Sequence, residues 1–193
     1  MSVYLKGAQP PPGALHYLKQ ELASLMHSAG VRVEWSANSD SEMLAVVEFS
    51  GDCTPPSGYT SFDATRPSGT PLASTVVTDG RVLPFATVNC AAISRSIGGA
   101  LAKLAPAQRD FFYGRALARV IAHELYHMVT GTGDHTRNGI SRSCFSATDL
   151  TTERFEFEGA ALAQLRRHTE PAAVAEGDDA ADRANLDPTS PIR

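Results

Sequence analysis

The stretch that decides the fold is PAQRDFFYGRALARVIAHELYHMVTG, residues 106–131. Pro106 suits the first turn of a helix, Gly131 suits its end, and good helix formers lie between them. The second half of the stretch is apolar on most sides, which is typical of a helix packed inside a domain. The apolar residues are Leu117, Val120, Ile121, Leu125, Met128 and Val129. The sequence therefore predicts a long central α-helix.

Residues 123–127 of this helix read His-Glu-Leu-Tyr-His. Positions i and i+4 lie about 40° apart around a helix axis, so the rings of His123 and His127 point into the same space. Two imidazoles so placed can occupy adjacent vertices of a tetrahedral Zn²⁺ site at ~2.0–2.1 Å. Glu124 flanks that position and can take a proton from a metal-activated water. The spacing predicts one zinc ion, with His123 and His127 as ligands and Glu124 as the catalytic base.

A catalytic zinc needs a third protein ligand. His135 is the leading candidate, because the chain leaves the helix at Gly131 and can double back through a short Gly-Thr-Gly segment. Asp134 is the close competitor, since it offers an oxygen ligand from the same loop. The acidic residues of the following helical region are a third option; they are Glu153, Glu156 and Glu158.

The sequence pattern in the first third of the chain predicts alternating strands and helices. Residues 2–5 form a β-prone run, and apolar residues then recur at helical spacing as far as Gly30. Residues 31–35 alternate cleanly between apolar and charged, which predicts a second strand. A strand, a helix and a strand make a crossover unit, so these two strands are expected to be parallel and adjacent. Residues 43–49 predict a third strand.

The rest of the chain predicts a surface loop, a hairpin and further helices. Residues 51–71 are rich in Gly, Pro, Ser and Thr and predict the loop; residues 72–89 predict the hairpin, with Asp79-Gly80 as the turn. Asn89 is expected to cap the next helix. Residues 146–149, Ser-Ala-Thr-Asp, resemble a capping box for a helical region that continues through Leu165. We expect a single domain over residues 1–168 and a disordered acidic tail over residues 169–193.

Composition excludes several classes of function. The chain has 193 residues and a formal net charge of −4, which gives no reason to expect nucleic acid or an anionic membrane as a partner. No apolar run approaches the length needed to cross a bilayer. We expect a monomer.

Three cysteines, Cys53, Cys90 and Cys144, lie far apart, without the C-x-x-C pairs of a structural zinc site. Cys53 and Cys90 each follow a strand-like run, so a bridge between neighbouring strand ends is predicted, with Cys144 free. A disulfide favours an oxidising compartment. We therefore expect a secreted or periplasmic protein, although the first residues, MSVYLKGAQPPPG, lack the features of a signal peptide.

The His-Glu-Leu-Tyr-His helix, preceded by strands and a hairpin, resembles the zincin superfamily of zinc-dependent metallopeptidases, which carry the H-E-x-x-H motif. The histidine after a glycine turn resembles the metzincin branch, and the layout is similar to small bacterial proteins with that motif. Two features depart from the branch: the spacing to His135 is two residues longer, and residues 136–146 contain no methionine for a methionine turn. The resemblance implies an α+β fold in which a small, twisted mixed β-sheet packs on the central helix beside further helices.

The resemblance also implies a function. In zincins an edge strand pairs with an extended peptide substrate, and the hairpin at residues 72–89 is the candidate for that edge. An endopeptidase acting on peptides or proteins is the resulting hypothesis. A catalytically silent domain that binds metal or a protein partner is the alternative, and a hydrolase of non-peptide amides is a third. No residue is assigned to stabilise the oxyanion: Tyr113 and Tyr126 are candidates, but core packing is the favoured role for both. The thiolate of Cys53 is a candidate zinc ligand that would keep the enzyme latent.

Overall fold

The computed structural model describes residues 1–35, 41, 43–57 and 69–169. The strands are β1 (Ser2–Gly7), β2 (Leu44–Ser50), β3 (Ala73–Thr78) and β4 (Arg81–Asn89). The helices are α1 (Pro12–Ser28), α2 (Cys90–Leu101), α3 (Pro106–Thr130), α4 (Ala147–Thr151) and α5 (Gly159–Thr169). The predicted class, α+β with a small mixed sheet packed on a central helix, is confirmed.

Helix α3 runs through the middle of the domain as predicted, and most of its second half is buried. Gly131 adopts φ +65° and its N–H donates to the carbonyl of His127 at 2.9 Å, which ends the helix. Helix α1 packs closely across α3 at Gly114, where a Cβ atom would lie 2.4 Å from the carbonyl oxygen of Ala14. The absence of a side chain at that position lets the two helices approach each other.

The four strands lie in the order β1-β2-β4-β3. β1 pairs in parallel with β2, and β2 in parallel with β4, whereas β3 and β4 form the predicted antiparallel hairpin. Asp79 and Gly80 both have positive φ, as a tight hairpin turn requires. β3 is therefore an edge strand, and it lies against α3.

The prediction of a strand at residues 31–35, paired with β1, was wrong. Only an isolated bridge joins Ser2 to Glu34, parallel as predicted, and the strand that pairs with β1 along its length is β2. The register explains the difference. Because Glu34 lies beside Ser2, residues 31–33 come before the start of β1 and have no strand beside them.

The prediction of one continuous helical region from residue 147 to Leu165 was also wrong, because α4 ends at Thr151 and α5 begins at Gly159. Arg119 donates to the carbonyl of Asp149 at 2.7 Å, and Arg115 to that of Thr152 at 3.0 Å. These bonds engage the carbonyls at the C-terminal end of α4.

The predicted caps of α2 and α4 are both present. The side chain of Asn89 accepts a hydrogen bond from the N–H of Ala92 at 2.9 Å. Ser146 and Asp149 form the capping box of α4, with each side chain accepting from the backbone of the other. The predicted tail lies outside the described residues from position 170 onward, as do residues 58–68 of the predicted loop.

Cys53 and Cys90 form the predicted disulfide, and Cys144 is free and exposed. Pairing of Cys53 rules out its thiolate as a latency ligand for zinc. The disulfide is compatible with an extracytoplasmic location. Within the described ranges, none of the helices is long and apolar enough to cross a membrane.

Candidate metal centre

Three histidines converge on one face of α3. His123 and His127 lie one turn apart on the helix, and His135 returns from the turn that follows it. One ring nitrogen from each lies within 4.8 Å of the others. In the part of the chain that the structure describes, this is the only cluster of three or more His, Cys, Asp or Glu side chains with such spacing.

The two helix histidines are held by backbone carbonyls. Nδ1 of His123 lies 2.7 Å from the carbonyl oxygen of Ile140, and Nδ1 of His127 lies 2.7 Å from that of Thr132. A carbonyl can only accept, so each Nδ1 carries the hydrogen and each Nε2 presents a lone pair. The two Nε2 atoms face each other at 3.0 Å.

This arrangement fits a metal ion. Two lone pairs that face each other at this distance repel unless a cation or a proton lies between them. Nitrogen ligands at ~2.05 Å from a tetrahedral zinc would lie about 3.3 Å apart, close to the observed separation. The backbone carbonyls behind the rings are the outer partners that metal-bound histidines ordinarily have.

His135 completes the cluster from the loop. Its ring stacks on that of His123 at a centroid distance of 5.1 Å and meets that of His127 edge-on at 4.9 Å. The loop is closed by the N–H of Thr136, which donates to the carbonyl of Ser141 at 3.0 Å. His135 itself is exposed, so it borders the solvent side of the site.

The other candidate ligands are not in this cluster. Asp134 points its backbone N–H at the Thr132 hydroxyl, 3.1 Å away. The non-helical segment between α4 and α5 contains Glu153, Glu156 and Glu158. A helical position was expected for these three residues. The structure brings together the three histidines and leaves the four acidic alternatives outside.

Burial keeps the two helix histidines neutral. Desolvation lowers the pKa of His123 to about 4, although its hydrogen bond to Ile140 acts in the opposite direction. Desolvation likewise lowers the pKa of His127, against the bond to Thr132. Both rings are therefore neutral near pH 7, and neutral imidazole is the form that binds metal.

Glu124 lies beside the cluster with only 5% of its surface exposed. Its Oε2 accepts a hydrogen bond of 2.5 Å from the hydroxyl of Thr75 on β3. Burial raises the pKa of Glu124, and the hydrogen bonds from Thr75 lower it. A carboxylate in a buried position of this kind suits a general base that works near neutral pH.

Neither tyrosine weighed for the oxyanion contributes to the site. The hydroxyl of Tyr126 donates to Gln164 at 3.0 Å, and Tyr113 is fully buried in the core. Thr75 and the carbonyls of Ile140 and Thr132 were not identified from the sequence. The contact of Thr75 arises from tertiary packing, and backbone carbonyls leave no sequence signal.

Two cavities flank the histidines along β3. The larger, of about 420 Å³, borders His123 and Glu124, and the smaller, of about 250 Å³, borders His127 and His135. The apolar lining of the larger includes Pro71, Leu72, Val120 and Phe145. A cavity of about 670 Å³ lies near the start of α3 and includes none of the cluster. The open space beside the histidines thus follows the edge strand.

No protein-family model matches the chain, and no curated protein sequence matches it significantly. The fold is similar to that in a crystal structure of a zinc-dependent peptidase from Methanocorpusculum labreanum, with a TM-score of 0.54. The two chains share 15% sequence identity, and the match covers 86% of this chain and 100% of the other. The likeness extends to the fold alone, so the class defined here is an α+β domain with that fold and a histidine cluster suited to zinc.

Proposed function

We propose that the chain is a zinc-dependent endopeptidase that cleaves extended peptides. The observation that carries the proposal is the facing pair of Nε2 atoms of His123 and His127, with Glu124 beside them. A site needed only to stabilise a fold is normally closed by a fourth protein ligand. Here the three histidines border open cavities, which leaves room for a substrate.

His123, His127 and His135 would hold the ion through ring nitrogens. When bound, zinc would polarise the carbonyl of the scissile bond and make a water more acidic. The carbonyls of Ile140 and Thr132 keep His123 and His127 in the tautomer that this role requires. The loop from Gly131 brings His135 to the solvent side, so the site can be reached from outside.

Glu124 would carry the proton transfers. Its carboxylate would accept a proton from the attacking water and then deliver it to the amine that leaves when the peptide bond breaks. Its burial keeps bulk water away and makes the carboxylate more basic than an exposed glutamate.

The edge strand β3 would align the substrate. A peptide added to this edge would run past Glu124, because Thr75 of β3 already contacts it. Val76 and Val77 are 42% and 57% exposed, so the strand is open to a partner. The cavities on either side of the histidines would receive side chains that flank the cleaved bond.

Digestion of a broad peptide library tests the proposal. Zinc-loaded protein is expected to cut within the peptides, a chelator is expected to abolish the cleavage, and added zinc is expected to restore it. Stoichiometric zinc without cleavage of any peptide would instead favour the silent metal-binding or protein-binding domain. Turnover confined to non-peptide amides would favour the third function class.

A further inference from the structure

Thr75 and Glu124 are 49 residues apart in the chain, and a hydrogen bond of 2.5 Å joins their side chains. The bond connects the edge strand with the central helix at the position of the proposed base. We infer that Thr75 is a positioning residue, whose hydroxyl bond to Oε2 fixes the carboxylate of Glu124 in the orientation that receives the proton of the attacking water. This inference rests on the proposed function.

The sheet is irregular directly after Thr75. Thr75 pairs with Ala86, but the next pair is Val77 with Val82, so the single residue Val76 faces three residues of β4. One of these three is Pro84, which has no N–H to offer the ladder. Bulges of this kind bend a strand and redirect the side chains beside it, and they are frequent next to active sites. Thr75 is thus the last regularly paired residue before this irregularity, whose extra residues lie on β4.

The chemistry of the pair explains why a hydroxyl matters here. Glu124 is buried, and its long side chain can rotate about several bonds unless a partner holds it. Thr75 reaches this carboxylate with its hydroxyl and with its backbone N–H, and a change of side chain removes only the hydroxyl. A general base works only when it lies within hydrogen-bond reach of the proton that it removes. A hydrogen bond that fixes the carboxylate in advance therefore accelerates the proton transfer.

The same strand would serve both substrate and base. If a peptide pairs with β3, the strand that aligns the peptide backbone also carries Thr75, which orients Glu124. Thr87 on β4 is exposed and provides a matched control position, because β4 has a strand on each side and cannot pair with a peptide.

Steady-state kinetics of Thr75→Val, Thr75→Ser and Thr87→Val test the inference. Valine has nearly the shape of threonine and suits a strand, so Thr75→Val removes the hydroxyl with little other change. We expect kcat to fall about 10–100-fold in Thr75→Val, with KM and zinc content within about twofold of the wild type. Thr75→Ser, which keeps the hydroxyl, is expected to recover most of the loss, and Thr87→Val to behave as the wild type. Thr75→Ala gives the same comparison if valine disturbs the strand.

The Glu124→Gln background supplies a second test. Because Thr75 acts through Glu124, Thr75→Val should cause no further loss of rate in that background. An unchanged kcat in Thr75→Val, a serine variant as slow as the valine variant, or a full further loss beside Glu124→Gln would each overturn the inference. If the zinc-loaded wild type is itself inactive, the proposed function is refuted together with the inference. If the wild type is active and one of the results above is found, only the inference is refuted.

Discussion

Nδ1 of His123 lies 2.7 Å from the carbonyl oxygen of Ile140, 17 residues further along the chain. The bond connects His123, a candidate zinc ligand, with the segment that follows the loop carrying His135. The N–H of Ile140 in turn donates to the carbonyl of Glu156 at 3.0 Å, so both backbone polar groups of Ile140 are engaged. The orientation of His123 therefore depends on how residues 139–141 pack against residues 156–158.

Gly139→Ala is expected to weaken zinc binding about tenfold or more, as outer-shell changes at metal sites do. Gly139 has φ +69°, and a Cβ atom there would lie 2.4 Å from the carbonyl oxygen of Glu156. The methyl group would push apart the two segments that place Ile140. Zinc affinity by chelator competition measures the effect.

Gly80→Ala is the matched control for that variant. Gly80 also has positive φ, at +73°, but a Cβ atom there would meet nothing within 4 Å. It should lower stability through backbone strain and leave zinc affinity unchanged. Equal zinc affinities in the two variants would contradict the role assigned to the Ile140 segment.

His135→Ala is expected to weaken zinc binding more than about a hundredfold, because a direct ligand is lost. Asp134→Asn, one position earlier in the same exposed loop, keeps the shape of the side chain and should change the affinity little. The comparison uses zinc titration of both variants. A large loss in Asp134→Asn with little loss in His135→Ala would show that the aspartate is the third ligand.

The stability of the α4 cap is expected to depend on pH through Asp149. Burial acts to raise the pKa of Asp149, but hydrogen bonds from Ser146 and the charge of Arg142 outweigh it and hold the pKa below its usual range. The stabilisation is therefore complete above the unfolded pKa of about 4 and is lost as the pH falls through the lower folded value. Urea unfolding of the wild type and Asp149→Asn should differ most near neutral pH and converge in acid.

Glu48→Gln is the control for that series, since Glu48 forms an exposed pair with Lys6 at 3.5 Å. Such pairs contribute less than about 1 kcal/mol. A difference between wild type and Asp149→Asn that stays constant down to acid pH would contradict the role of the charged carboxylate.

Removal of the disulfide by Cys53→Ala together with Cys90→Ala is expected to lower the free energy of unfolding by about 3–4 kcal/mol on the chain-entropy model. The bridge joins two residues 37 positions apart and involves none of the three histidines, so zinc affinity should persist. Cys144→Ala, which removes the free thiol, serves as the control and should change stability little. Loss of zinc binding in the double variant would show that the bridge shapes the metal site.

The elements with strong local signals were predictable from the sequence. Helix α3 has a proline at its start, a glycine at its end and apolar residues on most sides, and the turn at Asp79-Gly80 requires residues that tolerate positive φ. The spacing of His123 and His127 is meaningful only on a helix, and that helix was predictable. The convergence of these two rings follows from helical geometry alone.

The rest depended on contacts between distant parts of the chain. Residues 31–35 alternate like a strand, yet strand formation needs a neighbour along their whole length, and β1 begins too late to provide one. At the break between α4 and α5, two backbone carbonyls accept hydrogen bonds from Arg115 and Arg119, which lie on another helix. The contact between Thr75 and Glu124 follows from tertiary packing that no local pattern encodes.

The most direct test of the central claim compares peptide cleavage by the wild type and by Glu124→Gln at equal zinc content. Glutamine keeps the size of the side chain and removes the basic carboxylate. The account predicts about one bound zinc in both proteins and a cleavage rate about 10²–10⁴-fold lower in the variant, the contribution typical of a general base. Equal cleavage rates in the two zinc-loaded proteins would contradict it.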